Sequence, residues 1–167
     1  MWTTEYRVET PLAAPAIWTA LRALHEGAMP AENSDTFEIH GPFEIGTEIS
    51  VTPQGQDTFR AVIVELVENE VYADRTEFGE LSLLFRHTLA PLDEGGTSLS
   101  HQLMIDGPDA AQVGPELGAQ ISADFSTAMA ELLATAAALE TSAALETSAT
   151  SATSATTETL QTAGATA

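Results

Sequence analysis

The sequence predicts an α+β fold for residues 1–140, and three observations carry that prediction. The chain opens with an alternating strand pattern followed by a helical one, and residues 36–105 divide into short strands separated by tight turns. A single long helical stripe then follows residue 115. Strands joined by tight turns describe an antiparallel meander and not parallel βαβ units.

The opening strand and first helix occupy residues 3–25. In residues 3–10, polar-to-apolar alternation places Tyr6 and Val8 on one face, which is the pattern of a half-buried strand. Pro15 occupies the first turn of a helix, where proline is tolerated. His25 ends this helix and is expected to interact with its negative C-terminal end. The apolar residues of the helix recur at helical spacing: Ile17, Trp18, Leu21 and Leu24.

Six further strands are predicted between residues 36 and 105. Turn residues mark their limits, and the run Asp93-Glu94-Gly95-Gly96 predicts a hairpin between the last two. The predicted strands are 37–39, 48–52, 58–67, 71–78, 81–92 and 97–105.

The closing helix is predicted to begin near Pro115. About 25 residues at 1.5 Å each give a length of about 37 Å, enough to cross a whole sheet. Its apolar stripe comprises Leu117, Ile121, Phe125, Met129, Leu132, Ala136 and Leu139. Residues 141–167 form a low-complexity tail of mostly Ala, Thr and Ser, which cannot bury enough apolar surface to offset its ordering entropy. We therefore expect this tail to be disordered.

Composition excludes several classes of function. The chain has no cysteine, which excludes disulfides, thiolate metal ligands and cysteine nucleophiles. Its formal net charge of −20 repels phosphates and anionic headgroups, so no nucleic-acid partner is expected. No apolar run reaches the ~20 residues of a membrane span, and the N-terminus lacks the basic and apolar regions of a secretory signal. These features favour a cytoplasmic protein.

Three passages resemble the START-like (SRPBCC) superfamily, which includes Bet v 1-like proteins and the polyketide cyclase/dehydrase family. They are the opening EYRVETPLAAPAIWTAL, the turn GPFEIGTEISV and the hairpin FRHTLAPLDEGGTSLSHQL, and the resemblance covers residues 1–140. It implies a helix-grip fold, in which a curved seven-stranded antiparallel sheet surrounds a long C-terminal helix. It also implies a cavity between the two for an apolar ligand. The superfamily has no universal catalytic motif, so the resemblance assigns no catalytic residue, and we expect no cofactor.

The last hairpin carries the two candidate catalytic residues. If the turn is centred on Glu94, alternation places His87 opposite His101 on the apolar face of the sheet. Two neighbouring imidazoles could transfer a proton or hold a ligand carbonyl, since histidine titrates near neutral pH. The alternatives are a hydrogen-bonded core pair, or a register shifted by one residue that places one histidine on the outer face. Two histidines without a third ligand do not make a metal site.

The candidate ligand-binding residues are an arginine and a set of apolar side chains. Arg60 shares strand parity with Val62 and Leu66, and from that face it would bind a ligand carboxylate through paired hydrogen bonds. The alternative is an ion pair with Glu48 or Glu77. The other candidates supply aromatic or soft apolar surface: Trp18, Phe37, Phe59, Tyr72, Phe85, Phe125 and Met129.

Three functional hypotheses follow. The first is a noncatalytic binder of an apolar, lipid- or polyketide-like small molecule. The second is an enzyme of the cyclase or dehydrase type, in which His87 and His101 move protons and Tyr72 is an additional candidate. The third is a regulatory or interaction module whose cavity is filled by its own side chains.

Overall fold

Strands and helices follow one another in the predicted order. The computed structural model describes residues 1–28, 35–53 and 55–143. The strands are β1 (Trp2–Thr10), β2 (Thr36–Ile39), β3 (Glu48–Thr52), β4 (Phe59–Val67), β5 (Val71–Phe78), β6 (Leu81–Pro91) and β7 (Thr97–Asp106). The helices are α1 (Ala14–His25), α2 (Ala110–Ile121) and α3 (125–143).

Within the described residues, these seven strands form one curved antiparallel sheet in the order β1-β7-β6-β5-β4-β3-β2. From β2 to β7, strands that are consecutive in sequence are therefore paired, as expected of a meander. The first strand joins the opposite end by pairing with the last, from Trp2 opposite Ile105 to Thr10 opposite Thr97. The predicted α+β fold with a seven-stranded antiparallel sheet is confirmed.

The C-terminal helical segment begins earlier than predicted and is less regular. Helix α2 starts at Ala110, so Pro115 lies inside it and not at its beginning. A 3₁₀ turn, Ser122–Asp124, then separates α2 from α3, and the Ser122 hydroxyl donates a hydrogen bond to the carbonyl of Gly118 at 2.8 Å. A serine hydroxyl bonded to the carbonyl four residues earlier often bends a helix, so the break at Ser122 has a local cause.

Helix α3 still presents the predicted apolar stripe to the sheet. Phe125, Met129, Leu132 and Ala136 are buried. Residues 141–143 belong to α3, whereas the rest of the predicted tail, residues 144–167, lies outside the described residues. No helix in the part of the chain that the structure describes is long and apolar enough to cross a membrane.

The turn between β6 and β7 packs against the connection between β1 and α1. Gly95 and Gly96 both have positive φ, +91° and +89°. A Cβ on Gly96 would overlap the carbonyl oxygen of Thr10, whereas a Cβ on Gly95 would meet nothing within 4 Å. Next to them, the Thr97 hydroxyl donates to the carbonyl of Leu12 at 2.8 Å. The β6–β7 turn therefore packs directly against the backbone of the β1–α1 connection.

A register shift in β4 changes which of its residues face the core. The pairing with β5 is irregular between Ile63 and Glu65. Before this bulge Ile63 is buried and Arg60 is exposed, whereas beyond it Leu66 packs on the core. Since an extra residue inverts the alternation of a strand, Arg60 and Leu66 do not share a face. The predicted common face of Arg60 and Leu66 is therefore wrong, whereas Arg60 and Val62 do share a face, which is the exposed one.

A second apolar cluster joins the sheet to α2. Trp2 lies against Gly114 and Gly118, where a Cβ on Gly114 would stand 2.5 Å from Cβ of Trp2. Only a residue without a side chain leaves room for the indole at these positions. The contact holds α2 against β1 and β7.

Candidate functional site

A cavity of about 420 Å³ lies between the concave face of the sheet and the C-terminal helical segment. Side chains from the end of α1, from strands β2 to β7, and from α2, the 3₁₀ turn and α3 line it. This volume falls within the range of about 300–1,000 Å³ typical of small-molecule sites. Of the predicted ligand-binding residues, five line the cavity: Phe37, Phe59, Phe85, Phe125 and Met129.

The predicted histidine pair lies in the wall of this cavity. His87 is paired with His101 in the β6–β7 register, and their rings stack at a centroid distance of 4.0 Å with an 18° interplanar angle. Phe125 of α3 stacks on the other side of His101 at 3.9 Å. The predicted cross-strand juxtaposition of the two imidazoles is therefore present, and the stack of three rings connects the sheet to the helix.

Burial determines the charge of these histidines. It lowers the pKa of His101 to about 3 and that of His87 well below its ordinary value, and His25 acts on both in the same direction. The expectation that they titrate near neutral pH is therefore wrong, because desolvation favours the neutral ring. The Nδ1 atoms of His87 and His101 are buried and have no hydrogen-bond partner among the described residues. At pH 7 both rings are therefore neutral, and their unpartnered Nδ1 atoms are enclosed in the cavity wall.

His25 belongs to the same polar group. Its Nδ1 donates to the carbonyl of Leu21 at 2.8 Å, which is the expected interaction with the end of α1 and leaves Nε2 as an acceptor. Its ring also lies against Phe37 and Tyr72, at centroid distances of 4.3 and 4.2 Å, and it lines the cavity. Burial lowers its pKa to about 4. A residue interpreted from sequence as structural therefore also contributes to the cavity wall.

Asp74, which sequence reasoning missed, is a buried carboxyl in the cavity wall. It is 5% exposed. Burial raises its pKa to about 7, and the like charge of Asp35 acts in the same direction, while the hydroxyl of Tyr72 opposes both. The available signal was parity, because Asp74 lies between Tyr72 and Thr76 on the inner face of β5. At neutral pH the protonated and the ionised forms of this carboxyl are therefore both populated.

Two further carboxyls line the cavity, and sequence reasoning missed them as well. Asp35 precedes β2, and Asp124 lies in the 3₁₀ turn. Burial and the charge of Asp124 both raise the pKa of Asp35. Helical spacing predicts one continuous helix through Asp124 and contains no sign of the 3₁₀ turn that brings this residue to the cavity. Among the described residues, no group of three or more acidic or histidine side chains has the geometry to hold a metal ion.

Trp18 and Tyr72 lie in the core beside the cavity and do not line it. Trp18 contacts Phe43 edge-to-face at a centroid distance of 6.5 Å, and Tyr72 stacks on Phe43 at 5.7 Å. Tyr72 is completely buried, and its hydroxyl lacks a partner of good hydrogen-bond geometry within the described residues. These two residues position the cavity wall.

Arg60 lies on the outer face of the sheet, away from the cavity. Its side chain is 74% exposed, and its guanidinium donates to the Glu48 carboxylate at 3.0 Å. The ion pair with Glu48 was the alternative interpretation, and the placement of Arg60 in a cavity wall is wrong. The physical reason is the bulge in β4, which inverts the parity on which that placement rested.

Comparison with known proteins gives a consistent fold. No family model matches the chain, and neither does any curated protein. Solved structures do match. Norcoclaurine synthase from Thalictrum flavum is 14% identical over 79% of this chain and 86% of its own, with a TM-score of 0.58. Ara h 8.0201 is 17% identical over 80% and 98%, with a TM-score of 0.56. SA2116 from Staphylococcus aureus is 12% identical over 84% and 97%, with a TM-score of 0.61.

These identities are low, so the likeness concerns the fold and not the ligand or the reaction. The chain has the Bet v 1-like helix-grip fold that its sequence resemblance implied.

Proposed function

We propose that this protein binds an apolar small molecule in the cavity between its sheet and its C-terminal helical segment. The observation that carries the proposal is the composition of the cavity wall. Aromatic and aliphatic side chains make up most of it, and a few polar groups, His87 and Asp74 among them, are gathered on the sheet. Small-molecule sites typically combine such apolar walls with a few placed polar groups that orient the ligand.

The open volume also argues against an interaction module with a filled cavity. That hypothesis requires side chains to occupy the space between sheet and helix, whereas about 420 Å³ remains there. An apolar ligand would gain roughly 25 cal/mol for each Å² of apolar surface removed from water. Native mass spectrometry of the protein purified from its own source, followed by extraction, would identify the ligand.

A matched pair of tryptophan substitutions tests the cavity directly. Ala128 lines the cavity, whereas Ala130, two residues along the same helix, is exposed and does not. We expect Ala128→Trp to weaken binding of the neutral dye N-phenyl-1-naphthylamine by about tenfold or more, since the indole would occupy ligand space. Ala130→Trp should bind as the wild type does. Dye fluorescence titration measures both, and equal affinities for the two variants would contradict the proposal.

A second candidate function is an enzyme of the cyclase or dehydrase type, and Asp74 is the observation that favours it. A general base works best when its pKa lies near the working pH, and that of Asp74 is raised to about 7. The stacked imidazoles of His87 and His101 would then serve as neutral hydrogen-bonding groups. They would not act as charged acids, because burial lowers the pKa of both.

Base-promoted ring opening of 5-nitrobenzisoxazole tests this candidate without knowledge of the natural substrate. A base removes the carbon-bound proton, the N–O bond breaks, and the electron pair leaves as the cyanophenolate. We expect a rate that rises with pH through about 7, as the Asp74 carboxyl ionises. In Asp74→Asn it should fall by about 10²-fold or more. A rate that stays constant from pH 5 to 9 would exclude Asp74 as the base. The enzyme candidate would be contradicted if the wild type reacted no faster than Ala128→Trp, whose cavity is filled.

A further inference from the structure

We infer that the ligand carries a protonated amine at its polar end, held by Asp74 together with Asp35 and Asp124. This inference rests on the proposed function, because it names the class of molecule that the same cavity takes. An apolar body would lie against the aromatic wall, and the ammonium group would donate hydrogen bonds to the carboxyls.

The first support is the origin of the three carboxyls. They come from β5, from the residue before β2 and from the 3₁₀ turn, and all of them line one cavity. Separate elements of the fold thus bring like charges to a common space. The charge of Asp124 raises the pKa of Asp35, and the charge of Asp35 raises the pKa of Asp74, so neighbouring carboxyls act on one another in pairs. Like charges brought together in a partly desolvated space need a cation to be stable in their ionised form.

The second support is the lack of a cation from the protein itself. No arginine lines the cavity in residues 1–28, 35–53 and 55–143, and the chain contains no lysine. Four of the five arginines instead pair with glutamates elsewhere: Arg7 with Glu5, Arg22 with Glu26, Arg60 with Glu48 and Arg86 with Glu65. Arg75 is exposed. When the Asp74 carboxyl is ionised, a cation that neutralises it therefore has to come from outside the described chain.

A third, independent support is an unused acceptor in the same wall. His87 is 9% exposed and lines the cavity, and its Nδ1, which is enclosed in the wall, has no hydrogen-bond partner within the described residues that would fix the tautomer of the ring. A neutral imidazole can accept a hydrogen bond from an ammonium group. Since no metal-binding group is present among the described residues, a divalent cation fits less well than an organic amine.

Three probes with one apolar body and different charges test the inference. They are 2-(2-naphthyl)ethylamine, 2-(2-naphthyl)ethanol and 2-naphthylacetate, measured by isothermal titration calorimetry at pH 8 and 150 mM NaCl. We expect the amine to bind about tenfold or more tighter than the alcohol, and the carboxylate not to bind. The advantage of the amine should shrink from pH 8 to pH 6, because protonation of Asp74 removes its charge while the amine stays protonated.

Isosteric variants then assign the effect to the cavity. Asp74→Asn should bring the ratio of the alcohol and amine dissociation constants close to one. Asp124→Asn, in an exposed turn where folding is not at risk, should lower the same ratio. Asp93→Asn removes an equal charge from the exposed β6–β7 turn and should leave the ratio unchanged. If Asp93→Asn lowered this ratio as much as Asp74→Asn does, the inference would be overturned. The net negative charge of the protein would then explain the preference for the amine.

The outcomes separate this inference from the proposed function. If the wild type binds the alcohol as tightly as the amine, the amine inference is wrong and the apolar cavity stands. If none of the three probes binds, the proposed function fails and the inference fails with it.

Discussion

Replacing His101 with phenylalanine is expected to make the protein more resistant to acid. Between pH 7 and pH 5, the variant should lose about 2 kcal/mol less unfolding free energy than the wild type. Phenylalanine can occupy the stack between His87 and Phe125, because a flat ring of similar size already fills that position. The substitution therefore removes a proton-binding group while retaining the ring packing.

The sign follows from the direction of the pKa shift. Unfolded histidine titrates near 6.5, whereas burial lowers the pKa of His101 in the native protein to about 3. The unfolded state thus binds a proton that the native state excludes. The stability contributed by the neutral buried ring is complete above pH 6.5 and is lost as the pH falls from there towards 3, by about 1.4 kcal/mol per pH unit.

Asp74→Asn should have the opposite effect and serves as the matched comparison. The native pKa of Asp74 is raised to about 7 from an ordinary value of 3.8, so the native state binds the extra proton. Its contribution to stability is present at low pH and is lost as the pH rises through 7. Removing it should therefore steepen the loss of stability on acidification. Urea unfolding at pH 5, 6 and 7 measures both variants, and curves parallel to the wild type would contradict the assigned pKa shifts.

Alanine substitutions at two neighbouring glycines should lower the free energy of unfolding by clearly different amounts. Gly95 and Gly96 share nearly the same positive φ, so each substitution costs about 1–2 kcal/mol in backbone strain. At Gly96 the new Cβ would also overlap the Thr10 carbonyl and lie 3.0 Å from Cα of Pro11. Backbone atoms cannot move aside as a flexible side chain can, so overpacking adds about 1–3 kcal/mol.

Gly96→Ala is therefore expected to be about 2 kcal/mol less stable than Gly95→Ala, a difference that chemical denaturation resolves easily. Strain from the positive φ cancels in the comparison, so the difference reports the close approach of the turn to the β1–α1 connection. Equal destabilisation by the two substitutions would mean that this connection can shift to make room.

The sequence predicts the geometry of the last hairpin well, because one turn determines it. The run from Asp93 to Gly96 sets the loop, and the alternation on either side then fixes His87 opposite His101. Their low pKa could not be read in the same way. It depends on burial by α3 and α1, which are distant in sequence, and local alternation contains no information about that cover.

The misplacement of Arg60 and the omission of Asp74 have different physical origins. Arg60 was misplaced because one extra residue in β4 inverts the alternation between Arg60 and Leu66. No residue in that stretch marks the bulge. Asp74 was overlooked because an acid in a strand is normally assigned to the solvent face. A buried carboxyl is the kind of departure from local rules expected at functional sites.

The pairing of β1 with β7 has a consequence for the order of folding. Hairpins from β2 to β7 close short loops, whereas Trp2 meets Ile105 only after nearly the whole sheet has been made. Contacts between residues distant in sequence form slowly, since the entropy of closing the chain is lost before the contact contributes. During synthesis on the ribosome, β1 must wait for β7 to emerge. The strand at the beginning of the chain is therefore expected to be the last to join the sheet.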